Sequence, residues 1–480
     1  MMDRLKPHHL QIGSFLVCLI ALLLTAVNTD NIPEGYRLMM AFPVIYCIGI
    51  VAGAKYMVYS DYKVSVIMYF VIQGIRFVLL PPAIALAGEK CGSPYINVSI
   101  SSLRTACIVI IFEFTICTFF LIAWSSKAIR RKRDYPPALI TNWAVYIPYL
   151  LLAIVTYFVF SKQGNILSFV TLPAGTNIRE GDLAETSLVF ARQIVLIAVI
   201  VLFLSVLSAC KRRYDYSQKN IYVYISIFAA IVNICIIVGE RRTTQIYTAF
   251  CCKYCLSLAF PDKKKIINKY VIGAAIVVLV FMSIYKFSYA FLYPSYMEAL
   301  AASDFSVQTI ARSLQAYYNG PQNVAVAIEL GNVTSFGPWN FIYDILRSTV
   351  PVSFFVKDFG TLVSYSFNSY IYGGSSLSGH LLSSVGDAYL CFSPAFCFIV
   401  MLFNIRLAML CEKNMKRTGS YEMIYVWGYL LIRFAYGYSL NLPGLLNSCS
   451  IMLITGGLLF KLARTVRIGR GYSHVKKSSI

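Results

Sequence analysis

Long apolar segments separated by short charged loops recur along nearly all of the 480-residue chain. Most are roughly 20 residues long, which is enough to cross a hydrocarbon core of about 30 Å as a helix. Only 13% of the residues are charged, whereas soluble domains carry about 25%. The sequence therefore predicts an all-α polytopic membrane protein that forms a single integral membrane domain over residues 1–480. We predict about twelve spans, at residues 10–27, 36–53, 64–87, 103–124, 143–160, 187–209, 221–238, 244–260, 270–292, 380–410, 421–440 and 443–460.

The formal net charge of +21 reflects where the cations lie relative to these spans. Alternate loops collect most of the lysines and arginines, for example in residues 127–133, 211–213, 263–265, 413–417 and the tail from Lys461. This positive-inside bias predicts that both termini are cytoplasmic and that no nucleic acid is bound. Residues 1–27 resemble a signal peptide, but no small-residue cleavage site follows them, so we expect a retained first helix.

Several classes of chemistry lack their motifs in this sequence. There is no nucleotide-binding loop, no zinc-protease or serine-hydrolase motif, and no aspartate-rich sugar-nucleotide motif. The fourteen cysteines fall almost entirely in predicted helices, so we expect no disulfide framework. Cys251, Cys252 and Cys255 are interpreted as packing residues rather than as a metal cluster. The sequence requires no metal or other cofactor.

Ionisable residues inside predicted spans are costly and are therefore candidates for pairing or function. Arg76 and Glu113 lie near the middle of consecutive spans, so we predict an ion pair between them. The pair either fixes the register of the two helices or belongs to a substrate or proton pathway. Arg433 lies deep in the eleventh predicted span.

The turn between the seventh and eighth predicted spans contains Glu240, Arg241 and Arg242. The positive-inside rule disfavours two guanidinium groups on the exterior side. Such a pair could bind an anion at the membrane edge, since arginine binds phosphate oxygens bidentately. Alternatively, the two arginines contact lipid headgroups and Glu240 neutralises one of them.

The longest polar segment, residues 293–379, is predicted to form one large exterior loop. We expect a surface helix over 303–317 that carries Arg312, a turn at Asn319-Gly320-Pro321, and a second helix over 322–330. Asp344, Arg347 and Lys357 follow. The Gly-Ser-rich residues 372–380 could form a mobile lid or a solvated linker.

The order of these features resembles that of bacterial oligosaccharide repeat-unit polymerases, the Wzy-type O-antigen and capsule polymerases. The resemblance rests on Gly239-Glu240-Arg241-Arg242, Tyr317-Tyr318-Asn319-Gly320-Pro321, the Gly-Ser segment at 373–379, and Gly386-Asp387-Ala388-Tyr389-Leu390. It covers mainly residues 220–410. Asp387 stands where Glu is common in the family, and Ser393-Pro394 replaces the usual small residues.

The resemblance implies a membrane-embedded glycosyltransferase of the GT-C kind in the bacterial inner membrane, with the large loop in the periplasm. Its substrates would be oligosaccharides linked to undecaprenyl diphosphate, and its product a lipopolysaccharide O-antigen or a capsule. Arg241, Arg242, Arg312 and Arg347 would bind the diphosphate. His380, Asp387 and Glu240 are the candidate bases that would activate the acceptor hydroxyl.

The resemblance leaves two other functions open. An O-antigen ligase shares the scaffold and the leaving group. A lipid-linked oligosaccharide flippase would have a similar number of spans, but internal repeat symmetry is expected of it and is not found in this sequence. The expected partners are membrane lipids and, for a polymerase, a chain-length regulator and a flippase.

Overall fold

The computed structural model describes residues 6–93, 96–130, 132–162, 166–170, 186–238, 243–288, 306–356, 359–374 and 380–466. Within these ranges the regular secondary structure is helical apart from a single two-stranded sheet and two isolated β-bridges. The first ten helices are α1 (Pro7–Val27), α2 (Phe42–Tyr59), α3 (Lys63–Gly74), α4 (Leu80–Ala87), α5 (Ile100–Ser125), α6 (Trp143–Phe160), α7 (Thr186–Ser217), α8 (Ile221–Cys235), α9 (Thr243–Ala259) and α10 (Lys264–Ser288). The antiparallel sheet consists of β1 (Leu167–Phe169) and β2 (Ile236–Val238).

The C-terminal part of the chain contains nine further helices. Five short ones lie in the segment that was predicted to be the large loop, and four follow it. They are α11 (Val307–Tyr317), α12 (Pro321–Val333), α13 (Pro338–Ser348), α14 (Ser353–Val356), α15 (Val363–Ile371), α16 (Ser384–Phe392), α17 (Ile399–Arg417), α18 (Tyr421–Tyr436) and α19 (Pro443–Thr465).

Eight helical segments in the described ranges are long and apolar enough to cross a membrane. They are Pro7–Val27, Glu34–Tyr59, Lys63–Cys91, Ile100–Ser125, Trp143–Phe160, Leu188–Ser217, Pro394–Arg417 and Pro443–Thr465. The prediction of a multi-pass helical membrane protein is therefore confirmed, while the count of twelve stays a prediction. Helices α8, α9 and α18 have 15 to 17 residues, or roughly 23 to 26 Å, so each is shorter than a typical hydrocarbon core.

The predicted span over 380–410 is wrong in its bounds. Helix α16 ends at Phe392, Ser393 has φ of 84°, and a 3-10 turn at Pro394–Phe396 precedes α17. A proline lacks the N–H that would continue the hydrogen-bonding pattern of a helix, and a residue with positive φ does not have the right-handed helical conformation. The segment therefore divides into the short helix α16, outside the candidate spans, and a span that begins at Pro394.

The core of the molecule lies around α17 and α18, which pack against each other. Helix α18 also packs against α3, α9 and α19, and 13 of its 16 residues are buried. A helix that is buried on all sides lies inside a bundle rather than at its surface. Helix α18 is thus a central element of the fold.

The helices of the predicted loop pack onto the spans. The side chain of Ser306 caps α11 by accepting a hydrogen bond from Thr309 N, and α11 packs on α4. Asn319 has φ of 52° and Pro321 is the first residue of α12, which confirms the predicted Asn-Gly-Pro turn. Helix α12 packs on α5 and α16, with residues 321–328 all buried.

Two non-helical segments meet where α16 begins. Ser383 pairs with Leu440 in an antiparallel bridge, and Asn441 N donates to Leu382 O over 3.1 Å. Irregular backbone within a membrane protein requires buried partners for its polar groups. Side-chain amides supply partners here, from Asn319 to Ser439 O, from Asn323 to Leu381 O, and from Asn404 to Leu440 O. These contacts fix the start of α16 and the residues that it carries.

Candidate active site

Asp387 lies in the first turn of α16 and is fully buried. The side chain of Ser383 caps this helix by accepting a hydrogen bond from Gly386 N over 2.9 Å. The Asp387 Oδ1 atom accepts a weak hydrogen bond from Cys391 Sγ at 3.9 Å. Within the described residues its Oδ2 atom has no hydrogen-bond partner, so one acceptor position remains open in a buried site.

A second buried carboxyl group, that of Asp344 on α13, lies close to Asp387. Its Oδ2 atom accepts a hydrogen bond from Val363 N over 3.0 Å, and Oδ1 has no partner in the described part of the chain. Burial raises the pKa of Asp344 from 3.8 to about 6, although the Val363 N–H and the Arg347 guanidinium act in the opposite direction. Burial raises the pKa of Asp387 well above its ordinary range, and the nearby Asp344 carboxylate raises it further.

Burial therefore raises the pKa of both carboxyl groups, to about 6 for Asp344. For Asp387 the charge of the Asp344 carboxylate adds to the effect of burial, so its uncharged form is favoured. Pairs of carboxyl groups whose pKa values are driven apart are typical of acid–base catalysis. Asp387 was predicted from the sequence as a candidate base but Asp344 was not, because no local pattern links two residues that lie 43 positions apart.

A cavity of about 520 Å³ lies beside this carboxyl pair. It is formed by the end of α12, the turn that leads into α13, and the end of α16. The lining residues are Gly331, Thr334, Ser335, Phe336, Gly337, Pro338, Tyr389, Leu390, Cys391, Phe392, Ser393 and Phe396. Cys391 lines the cavity and contacts Asp387, so Asp387 lies behind the wall that Cys391 forms, and neither Asp387 nor Asp344 is itself a lining residue. The volume falls within the range of small-molecule sites, and Phe336, Tyr389, Phe392 and Phe396 are among the lining residues.

Of the two predicted loop arginines, the structure brings only Arg347 to this site. Arg347 lies on α13, and its Nη1 atom donates to Tyr343 Oη at 3.0 Å and to Gly360 O at 2.7 Å. Its charge acts on the Asp344 carboxyl group. Arg312, on α11, donates from Nε to Lys90 O at 3.0 Å, against the end of α4.

His380 is held by α15 rather than by α16. Its backbone N–H donates to Asn368 Oδ1, and Asn368 Nδ2 donates to the His380 carbonyl. The His380 Nδ1 atom lies 2.9 Å from Tyr372 Oη. These contacts place the imidazole next to the same helix whose first residue, Val363, binds Asp344. The role of His380 as a base stays a prediction.

The predicted residues Glu240, Arg241 and Arg242 lie outside the described residues. Helix α9, which follows them, contacts the buried guanidinium group of Arg433. Arg433 of α18 donates from Nη1 to Tyr247 Oη at 2.9 Å and from Nε to Ser448 Oγ at 3.1 Å.

The predicted ion pair between Arg76 and Glu113 is confirmed. Arg76 Nη1 lies 2.9 Å from Glu113 Oε2, and both side chains are buried. Arg76 belongs to a π-helical turn, Ile75–Leu79, a local geometry that is frequent at functional sites. The hydroxyl group of Ser384 donates to Glu113 Oε1 over 2.7 Å. Because Ser384 is the first residue of α16, the pair anchors the helix that carries Asp387.

The chain is therefore a helical multi-pass membrane protein with a buried carboxyl pair beside an aromatic cavity. Comparison of the chain with protein-family models, with curated proteins and with solved structures finds no match. All fourteen cysteines are free thiols. Among the described residues, no cluster of three histidine, cysteine or acidic side chains could hold a metal ion.

Proposed function

We propose that this protein is a membrane-embedded glycosyltransferase of the GT-C kind that polymerises lipid-linked oligosaccharide repeat units. In the reaction, a sugar hydroxyl of one repeat unit attacks the anomeric carbon of a glycan on a polyprenyl diphosphate. The new glycosidic C–O bond forms as the bond to the diphosphate breaks, and the lipid diphosphate leaves with the electron pair. The hydroxyl proton passes to a carboxylate of the protein.

The observation that carries this proposal is the pair of buried carboxyl groups behind the aromatic cavity. Burial raises the pKa of Asp344 to about 6 and its Oδ1 atom has no partner in the described structure, so its carboxylate form can accept the proton of an acceptor hydroxyl. Burial and the Asp344 charge favour the protonated form of Asp387, which can donate a hydrogen bond. The aromatic rings of Phe336, Tyr389 and Phe392 provide flat apolar surfaces for sugar rings in the cavity.

The leaving group is a lipid diphosphate, which requires cations at the membrane boundary. Arg347 supports this role because it is on the same helix as Asp344, one turn further along. Arg241 and Arg242 are proposed as further ligands on the strength of the sequence resemblance. Fixed cations that face the developing charge of a leaving group stabilise the transition state.

The proposed setting is the bacterial inner membrane, with the loop helices α11–α15 in the periplasm and both termini in the cytoplasm. A deletion strain tests the function. Loss of a polymerase leaves one repeat unit on the final acceptor. Loss of a ligase leaves long chains on the lipid carrier and none on the acceptor, and loss of a flippase leaves no exported units. Either of the last two results would reject the proposal.

A further inference from the structure

Helix α13 has two faces of opposite character. The face that carries Asp344 is buried, whereas Trp339, Ile342 and Leu346 are 76%, 41% and 39% exposed. A helix advances about 100° per residue, so these three side chains form one stripe on the side opposite to Asp344. Three neighbouring apolar side chains on one side of a helix form a contiguous patch rather than singly scattered exposed residues.

The exposed stripe continues onto α14. Phe354 and Phe355 are 51% and 78% exposed, and the Phe354 ring lies 6.1 Å from that of Phe190 on α7. We refer to Trp339, Ile342, Leu346, Phe354 and Phe355 as the apolar face. Exposed apolar patches of this kind mark sites for a partner or a membrane.

The apolar face is joined to two candidate membrane spans by direct contacts. The connection between α13 and α14 is bound to a span, because Val350 N donates to Ser450 Oγ of α19 over 3.1 Å. Ser450 is seven residues beyond Pro443, the first residue of that span, or roughly 10 Å along the helix axis. The contact of Phe354 with Phe190 joins the face to a second span, α7. The apolar face therefore lies beside two candidate spans, where the tail of a membrane lipid can reach it.

The rest of α13 indicates which lipid would fit this face. With 100° per residue around the axis of α13, Arg347 falls between the apolar stripe and the buried face that carries Asp344. A lipid-linked sugar carries an apolar tail, a diphosphate anion and a sugar in that order. One helix thus presents, around its circumference, a surface for each part: the apolar stripe, the Arg347 guanidinium and the Asp344 carboxylate.

We infer that the apolar face binds the isoprenoid tail of a polyprenyl-diphosphate-linked substrate and so directs the sugar to the carboxyl pair, an inference that rests on the proposed function. Binding of the tail at this face would place the diphosphate next to Arg347.

Fluorescence quenching tests this binding without the need for activity. The chain has four tryptophans, Trp124, Trp143, Trp339 and Trp427. A variant that keeps only Trp339, with phenylalanine at the other three positions, is reconstituted in nanodiscs of phospholipids with brominated acyl chains. A matched variant keeps only Trp143, which is 43% exposed on α6. Undecaprenyl diphosphate is then titrated, with undecaprenol as the control lipid.

We expect the brominated lipids to quench Trp339. Undecaprenyl diphosphate should relieve that quenching saturably, because its tail replaces the brominated chains at the face. Trp143 should not respond, and undecaprenol should have no saturable effect. Quenching that undecaprenyl diphosphate does not relieve would mean that only bilayer lipids cover the face, and it would overturn the inference. An absence of quenching, or an equal response of Trp143, would overturn it as well.

A second measurement remains informative if the tryptophan substitutions disturb folding. A photo-crosslinking amino acid at Ile342, in the otherwise unchanged chain, should capture radiolabelled undecaprenyl diphosphate, and the same group at Phe15 on α1 should not. Equal capture at both positions, or none at Ile342, would overturn the inference. Binding at the face without polymerisation would instead reject the proposed function alone, so the two failures are distinguishable.

Kinetics provide a third readout. The double variant Ile342→Ala, Leu346→Ala should raise KM for the lipid-linked substrate about tenfold at nearly unchanged kcat, because it removes binding that ground state and transition state share. The control Phe15→Ala removes an apolar side chain from α1 that is 55% exposed, more than either Ile342 or Leu346, and should leave KM unchanged. An unchanged KM in the double variant would contradict a role in substrate binding.

Discussion

Replacement of Asp344 by asparagine should separate catalysis from stability. Burial raises the pKa of Asp344 from 3.8 to about 6, so the folded protein disfavours the ionised form. A carboxyl group whose pKa is raised by folding destabilises the folded state when it is ionised. This destabilisation is absent below the pKa of the unfolded chain and complete above the pKa of the folded protein. A shift of about two units corresponds to roughly 3 kcal/mol at neutral pH. Asparagine carries no charge, and its Oδ1 atom can still accept the Val363 N–H hydrogen bond.

We therefore expect Asp344→Asn to raise the free energy of unfolding by up to about 3 kcal/mol and to lower turnover by about 10² to 10⁴-fold. Thermal unfolding in detergent and polymerisation of lipid-linked repeat units measure the two effects. Wild-type turnover should fall as the pH drops through about 6, because the base becomes protonated. Asp387→Asn, which mimics the protonated acid, should cost less activity. A destabilised but active Asp344→Asn variant would refute the reasoning.

Three further outcomes are expected. Glu113→Gln leaves the buried Arg76 without its counterion and should destabilise the protein by about 3 to 5 kcal/mol. The double variant Glu113→Gln, Arg76→Met should recover most of that stability. Thermal unfolding of both variants measures the difference. The Arg241→Ala, Arg242→Ala double variant should lower polymer synthesis by about 10²-fold or more, with partial recovery by lysine, and full-length polymer at normal protein level would exclude a diphosphate role. Ser335→Cys should react with an impermeant maleimide in intact spheroplasts, and labelling only after lysis would place the loop in the cytoplasm.

Local signals were sufficient to predict several elements from the sequence. Asn319-Gly320-Pro321 specifies a turn followed by a helix start whatever surrounds it, because a residue with positive φ, a glycine and a proline at the first helical position all favour the same backbone. The ion pair of Arg76 and Glu113 was predictable because each charge lies in the middle of an apolar segment, and hydrocarbon offers it no other partner.

The candidate site itself depends on contacts that no local pattern encodes. Asp344 looks like an ordinary polar residue of a loop, and only the packing of α13 against α16 brings it to Asp387. The predicted span over 380–410 ran across Ser393-Pro394, although this dipeptide departs from the family pattern, because the apolar residues on both sides dominate an average over a membrane-length window. The short helix α16 and the cavity beside it follow from that break.

Polymerisation by the purified protein tests the central claim most directly. The chain is reconstituted with radiolabelled oligosaccharide repeat units on undecaprenyl diphosphate, without any other protein, and Asp344→Asn serves as the matched control. The proposed function predicts a ladder of lipid-linked products that differ by one repeat unit, together with release of undecaprenyl diphosphate, and no ladder from the variant. Repeat units that stay single with the wild-type protein, or an equal ladder from Asp344→Asn, would contradict the account.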